Sequence, residues 1–262
     1  MAEDQPAPPG VLLRGPESAA LPGAEVLSRL GHELRGPLNG IVGLVRVMLL
    51  KLAAGAPDPA QQVHHLKLLQ ASADQLETTV ERVVEFARLE TAPPATAAWT
   101  DCCELVARVA ARHQPASGDG PRVLADVADR PVLVPGTPQE LDRLLTELVD
   151  NAIRHSGATE IVLRARPATV GTAAAIEVQD DGAGIPYPDQ DRIFRPFERG
   201  ESAAREPGHG AGLGLSLATG RAARLGMHIT LASEPGRGST FTIHCADPAT
   251  PSGQSDPRTC SP

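Results

Sequence analysis

The sequence has few aromatic residues and no excess of positive charge. Its 262 residues include one Trp, one Tyr and four Phe, and the net charge is −8 at pH 7. Proteins that bind nucleic acids need cationic side chains for the phosphates, and many also use aromatic rings to stack on the bases. We therefore do not expect a nucleic-acid partner.

Metal-binding cysteine motifs and long apolar runs are also lacking. The four cysteines show no C-x-x-C spacing, so the sequence predicts reduced thiols and no zinc or redox motif. The most apolar stretch, residues 41–50, is shorter than the roughly 18 residues that a membrane span requires. The chain begins with acidic residues, where a secretory signal would be basic. These features predict a cytoplasmic protein without a membrane span.

Two stretches with heptad-like apolar spacing predict a helical hairpin. The apolar residues of the first stretch are Leu27, Leu30, Leu34, Ile41, Leu44 and Met48. A second stretch follows over residues 66–87, and two helices with such narrow stripes bury them by pairing with a second copy. We therefore predict a hairpin over 22–92 that dimerises into a four-helix bundle, with a bend at Pro37. The proline-rich ends, 1–21 and 247–262, are predicted to be disordered tails.

The second half of the chain predicts an α/β domain. Pro93 and Pro94 end the second helix and mark a linker. The strands are predicted at 131–136, 160–167, 174–181, 228–233 and 239–245, and the helices at 138–156 and 213–226. The predicted fold class is a dimeric antiparallel helical hairpin followed by an α/β sandwich domain at 98–246.

His32 lies on the first predicted helix, outside its apolar seam. A histidine on a solvated helix face is usually inert, but this one opens the sequence HELRGPL. The sequence resembles the H-box of sensor histidine kinases, H-E-L-R-x-P-L, at all six fixed positions. The resemblance implies that His32 is the phosphoacceptor and Glu33 the general base. A neutral imidazole is a nucleophile near pH 7, and an adjacent carboxylate is able to hold its ring proton.

Residues 147–155, ELVDNAIRH, resemble the N-box of Bergerat-type ATP-binding domains. The resemblance implies that Asn151 binds Mg²⁺ and that Arg154 and His155 reach phosphate. Magnesium suits a site with one protein oxygen, because it retains waters and phosphate oxygens as its other ligands. Glu147 occupies a position where ATP-hydrolysing relatives carry a water-activating glutamate, so the resemblance also makes Glu147 a candidate base.

Four further segments resemble the remaining boxes of the same domains. They are DDGAGIP (180–186), FRPFER (194–199), GHGAGLGL (208–215) and EPGRGSTF (234–241). The resemblance implies that Asp180 receives the adenine amino group, while Gly182 and Gly184 let the backbone approach the ring. It also implies further ATP contacts in the last two segments and in the ATP lid, which is the loop between FRPFER and GHGAGLGL. The residues are Arg199, Arg205, Gly210, Gly212, Leu213, Gly214 and Thr240.

These boxes, in this order over residues 24–246, are typical of sensor histidine kinases of two-component systems. Membership implies an enzyme that autophosphorylates on histidine, with ATP and Mg²⁺ as cofactors, and passes the phosphoryl group to an aspartate of a response regulator receiver domain. It also implies a homodimer, with room for a separate sensor or input protein. Two alternatives stay open at this point, namely a nucleotide-binding pseudokinase that serves as a scaffold and a Bergerat-type ATP hydrolase.

Gly36 departs from the pattern of many relatives, which carry Thr or Asn four residues after the phosphoacceptor. In those relatives that side chain is thought to orient the water that removes phosphate from the partner. An i to i+4 spacing places residue 36 on the same helix face as His32. Because glycine has no side chain to hold a water, we expect weak phosphatase activity.

Overall fold

The computed structural model describes residues 23–55, 58–91, 98–115, 120–169, 173–198, 200 and 212–245. Two long helices, α1 (Gly23–Ala53) and α2 (Pro59–Thr91), form an antiparallel hairpin. The connecting turn contains Gly55, whose φ of 67° favours glycine. The predicted tails and the linker at 92–97 lie outside the described residues.

Helix α1 continues through Pro37 without a break in its helical structure. Proline has no backbone N–H, so the carbonyl of Glu33 lacks the partner that residue i+4 normally supplies. The helix is therefore weaker in hydrogen bonding next to His32 than elsewhere along its length.

The hairpin exposes an apolar stripe on both of its helices. Leu38, Val42, Val45 and Leu49 of α1, and Val63, Leu66, Val80 and Val84 of α2, are each 39–61% exposed. By length and composition alone, the segment Ser28–Ala53 is also apolar enough to cross a membrane. The sequence prediction of no membrane span rested on the shorter stretch 41–50, and it stays a prediction.

The second domain contains a five-stranded mixed sheet and a small two-stranded sheet. Strand β1 (Trp99–Asp101) pairs with β3 (Leu133–Pro135). The larger sheet consists of β2 (Arg122–Val127), β4 (Glu160–Arg166), β5 (Ala175–Asp180), β6 (His228–Glu234) and β7 (Gly238–His244). Its order is β2-β4-β5-β7-β6, and only the β2–β4 pair is parallel within the described chain.

Three helices form the second layer of this domain. They are α3 (Cys102–Arg112), α4 (Pro138–His155) and α6 (Gly214–Arg224), while the short α5 (Tyr187–Gln190) precedes a 3₁₀ turn at Arg192–Phe194. Helix α4 begins with a capping box, in which Thr137 Oγ1 accepts from the Glu140 N–H at 3.3 Å and Glu140 accepts from the Thr137 N–H at 3.0 Å. The hairpin followed by a two-layer α/β domain confirms the predicted fold class of the chain, while its dimerisation stays a prediction.

The core lies between the sheet and these helices. Strand residues alternate, so Ile161, Leu163 and Ala165 are buried against the helices, whereas their neighbours face the other side of the sheet. Cys102 and Cys245 belong to this core as free thiols, and burial raises the pKa of each to about 12. Such thiols are almost entirely protonated at neutral pH and therefore unreactive.

Candidate active site

A cavity of about 420 Å³ lies between α4, the loop after β5 and the start of α6. Most of the predicted site residues that the structure describes line this cavity. These residues are Glu147, Asn151, Arg154, His155, Gly184, Gly212 and Gly214. The fold therefore brings residues from three separate sequence boxes to one concave site.

Helix α4 supplies a row of polar side chains to the cavity. Glu147, Asn151 and Arg154 follow the i, i+4, i+7 spacing that places residues on one helix face. Burial raises the pKa of Glu147, although the nearby guanidinium groups of Arg82 and Arg221 oppose the rise. Arg154 forms an ion pair of 3.1 Å with Asp150.

The same row of side chains carries oxygen atoms that suit Mg²⁺. Among the described residues, no group of three or more His, Cys, Asp or Glu side chains has the arrangement of a metal site. The cavity instead offers the Asn151 amide oxygen with the Glu147 carboxylate nearby. A small set of oxygen donors suits Mg²⁺, which binds mainly to phosphates and waters in such sites. The residues present therefore fit this ion.

Asp180 ends β5 and is not one of the residues that line the cavity. It is 4% exposed, and its Oδ1 accepts from the Gly182 N–H at 3.0 Å. Burial raises the pKa of this carboxyl group, while hydrogen bonds from the backbone of Gly182 and Ser239 lower it. The side chain thus holds the following glycine loop in place.

Gly182 and Gly184 allow a close approach of backbone to backbone. A Cβ at Gly182 would lie 2.3 Å from the Ser156 carbonyl oxygen, and one at Gly184 would lie 2.1 Å from the Glu234 carbonyl oxygen. Gly184 also has a φ of 65°. The protein's own backbone therefore requires glycine at both positions, and the expectation that these glycines let the backbone approach adenine stays a prediction.

The second glycine box forms the turn into α6. Gly212 has a φ of 64°, and a Cβ there would lie 2.9 Å from the Glu198 carbonyl oxygen. Helix α6 starts at Gly214, so its free N–H groups and positive dipole end are next to the cavity. The Leu213 side chain is fully buried between Phe197 and Leu217, which leaves only its backbone for contact with a ligand. The predicted Arg199, Arg205 and Gly210 lie outside the described residues.

Thr240 does not join the other predicted residues at the cavity. Strand alternation places it on the open face of the sheet, beside the exposed Gln179. Its neighbour Ser239 is buried, donates a backbone hydrogen bond to Asp180, and has its Oγ 3.0 Å from Ser233 Oγ. Because side chains alternate between the two faces of a strand, the buried Phe241 indicates that Ser239, two residues earlier, also faces the core.

His32 is exposed on α1, close to the contact between hairpin and α/β domain. On the preceding turn, Arg29 Nη1 lies 3.4 Å from Glu198 Oε1, and Leu30 packs against a cluster that includes Phe197. Among the described residues, neither the His32 nor the Glu33 side chain has a hydrogen-bond or ion-pair partner. The role of Glu33 as general base therefore stays a prediction.

Helix α2 completes the contact between the two domains. Val83, Phe86 and Leu89 pack against the cluster around Leu217, and the Phe86 and Phe197 rings meet edge to face at 6.5 Å. Arg82, which belongs to no sequence box, lines the cavity with its guanidinium. No signal in the sequence indicates this contribution, because it depends on how the domains pack.

Family models match both parts of the chain. The model of the His Kinase A (phospho-acceptor) domain matches residues 24–92, and that of the histidine kinase-, DNA gyrase B- and HSP90-like ATPase matches 136–249. The signal transduction histidine-protein kinase BarA of Escherichia coli (strain K12) is 32% identical over 240 residues, covering 87% of this chain and 25% of BarA. The chain thus spans about a quarter of the length of the curated relatives it matches.

Solved structures resemble the chain over both domains. Full-length ShkA in complex with AMPPNP has a TM-score of 0.60 and 25% identity, covering 84% of this chain and 45% of ShkA. The histidine kinase ThkA in complex with the response regulator protein TrrA has a TM-score of 0.60 at 19% identity, covering 84% of this chain and 60% of ThkA. The second likeness shows the fold alone.

The fold and the cavity define a phosphoacceptor hairpin joined to a Bergerat-type ATP-binding domain. The two family models, matched in this order, and the similarity to BarA indicate the same family. The chain belongs to the sensor histidine kinases of two-component systems.

Proposed function

We propose that this chain is an ATP-dependent protein histidine kinase that phosphorylates His32 and passes the phosphoryl group to an aspartate of a response regulator. One observation carries the proposal: the exposed His32 lies within one helical turn of Arg29 and Leu30, which contact the domain that holds the cavity. The name of the relative BarA supports the activity. The ThkA complex with TrrA supports the class of partner.

In the proposed reaction the Nε2 atom of His32 attacks the γ-phosphorus of ATP. A nitrogen–phosphorus bond forms while the bond to the leaving oxygen of ADP breaks, and a carboxylate takes the ring proton from Nδ1. Glu33 is the proposed base for this proton. Bound Mg²⁺ would neutralise phosphate charge, with the Asn151 amide oxygen as its protein ligand. The N–H groups at the start of α6 would hold phosphate oxygens.

The proposal includes a homodimer and a cytoplasmic location. The apolar stripe from Leu38 to Leu49 on α1, with its counterpart on α2, is exposed in a single chain, and a second copy would cover it in a four-helix bundle. ATP and receiver domains are both available in the cytoplasm. Sedimentation analysis of the purified chain tests the dimer, which should dissociate when Val42 and Leu49 are changed to aspartate.

The activity is tested by incubation with ATP labelled on the γ-phosphate. The wild type should acquire label that is lost in acid, as phosphohistidine is, and His32→Gln should acquire none while it still binds ATP. His64→Gln is a matched control, because His64 is an exposed histidine on the other helix of the hairpin, and it should label like the wild type. Persistent label in His32→Gln would contradict the assignment. Release of phosphate without any labelled protein would favour an ATP hydrolase instead.

A further inference from the structure

The wall of the cavity is built from both domains. Arg82 of α2 lines it together with Glu147 and Asn151 of α4 and with Gly212 and Gly214 at the start of α6. The side chain of Arg82 is only 17% exposed. A guanidinium from the phosphoacceptor hairpin is therefore part of the candidate nucleotide site.

Arg82 lies at the end of the cavity where phosphate would bind. Its Nη2 is 3.6 Å from Glu147 Oε2, and the same carboxylate oxygen would lie 3.2 Å from a Cβ at Gly214. Gly214 is the first residue of α6, an 11-residue helix. The positive end of this helix dipole and the Arg82 guanidinium thus converge on one part of the cavity.

The contacts between the domains fix the position of Arg82. Phe86 is four residues further along α2, on the same helix face, and it packs against Phe197. Glu85 forms an ion pair with Arg221 of α6. Docking of this helix face therefore carries the Arg82 side chain to the cavity.

The charges of the cavity favour an anionic contact for Arg82. Four acidic residues line the wall, namely Glu147, Asp150, Asp189 and Glu198, and a triphosphate needs cations to offset them. Arg154 is engaged with Asp150 at 3.1 Å. Arg82 pairs with Glu147 at 3.6 Å, which is longer than a hydrogen bond. Its side chain donates no hydrogen bond within the described part of the chain, so its N–H groups are able to turn to a phosphate group.

We propose that Arg82 is a nucleotide-binding residue supplied by the hairpin, whose guanidinium donates hydrogen bonds to the terminal phosphate of ATP. The inference rests on the proposed function, since it takes ATP as the ligand of the cavity. ADP lacks the terminal phosphate and gains nothing from Arg82. The docked arrangement of the two domains therefore binds ATP in preference to ADP, and ATP in turn stabilises the docked arrangement.

Calorimetric titration of the full chain with ATP and with ADP, both with Mg²⁺, tests the proposal. Arg82→Ala should weaken ATP binding by about tenfold to a hundredfold, the range for a charged hydrogen bond, and should change ADP binding by less than about twofold. Arg82→Lys should recover part of the loss, since it keeps the charge but not the planar fork.

Two control variants separate this role from others. Arg88→Ala removes the same charge from an exposed position of α2 and should leave both affinities unchanged. Glu85→Ala breaks one of several contacts that dock the hairpin, the ion pair with Arg221, and should lower the ATP-to-ADP ratio by less than Arg82→Ala does. If Arg82→Ala weakens the binding of ATP and of ADP equally, or changes neither, the inference is overturned. The proposed function would still stand as long as His32 is labelled. Failure of the wild type to bind ATP would overturn both.

Discussion

Replacement of Asp180 by asparagine should stabilise the fold and weaken nucleotide binding at the same time. The side chain is 4% exposed, and burial raises its pKa from 3.8 despite hydrogen bonds from the backbone of Gly182 and Ser239. A carboxyl group with a raised pKa disfavours the folded state once it ionises. This penalty is absent below pH 3.8, the ordinary value, and grows as the pH rises through the higher pKa of the folded state.

Two opposing contributions set the size of the effect. A buried carboxylate carries an effective desolvation cost of several kcal/mol. An asparagine at 180 still accepts from Gly182 and Ser239, but each bond to a neutral acceptor is weaker by about 1 kcal/mol than one to a charged acceptor. The expected net gain is about 1–2 kcal/mol at pH 7, or about 3–8 °C in Tm for a domain of this size.

Asp181 is a matched control, because it is exposed and its pKa is lowered, whereas Asp180 is buried and its pKa is raised. Its carboxylate accepts from the Thr159 hydroxyl, from the Thr159 N–H at 2.8 Å and from the Glu160 N–H at 2.9 Å, and these bonds lower its pKa below 3.8. Their stabilisation is therefore complete above pH 3.8 and is lost as the pH falls through the lower folded-state pKa. Asp181→Asn should lower stability at pH 7 by about 1 kcal/mol, since the site is open to solvent.

Thermal unfolding followed by circular dichroism between about pH 4 and pH 8 measures both variants. The gain from Asp180→Asn should increase with pH, whereas the loss from Asp181→Asn should stay constant over this range. Calorimetry should show ATP binding weakened by about fivefold or more in Asp180→Asn, because the adenine amino group loses a charged acceptor. A Tm below that of the wild type at pH 7 would refute burial as the dominant influence on Asp180. Unchanged ATP affinity would remove Asp180 from the nucleotide site.

Three further changes test the site, the interface and the hairpin. Asn151→Ala should weaken ATP binding about tenfold with Mg²⁺ but by less than about twofold with EDTA, and an equal loss in both titrations would remove Asn151 as the metal ligand. Leu217→Ala, at a fully buried position, should destabilise the protein by about 2–5 kcal/mol in urea unfolding, while Leu133→Ala, at 56% exposure, should cost less than about 0.5 kcal/mol. Gly36→Thr should fold normally, since a Cβ there meets no atom within 4 Å, and should speed the loss of phosphate from a phosphorylated response regulator. Rapid dephosphorylation by the wild type would contradict the expected weakness of this activity.

Helix α4 shows how far sequence patterns reach in this protein. Its apolar residues recur with helical spacing, and Thr137 with Glu140 forms the cap that begins the helix. Strand β2 was not predicted, because it is an edge strand with Val123 as its one buried residue, so it has no alternation to detect. Helix α3 was also missed, although Leu105, Val106 and Val109 share a buried face.

The sequence boxes predicted many of the residues that line the cavity, but not all of them. Residues such as Asn151 and Gly214 belong to local boxes whose order is visible in the sequence, so their convergence was expected. Thr240 does not line the cavity, because strand alternation decides which side chains face the core and the box indicates only the turn. Its contact with ATP stays a prediction. Arg82 was not foreseen, since its position depends on packing between helices that are far apart in the chain.

Helix α6 connects the nucleotide cavity mechanically to the hairpin. Its first residue, Gly214, lies at the cavity, while Leu217 packs against the apolar face of α2 and Arg221 pairs with Glu85. If this 11-residue helix moves as a unit, a ligand that fixes its first turn would also favour the docked arrangement of the hairpin. The docked hairpin would then favour the ligand by the same free energy. A change in the hairpin is in this way able to alter ATP affinity without touching a residue of the glycine boxes.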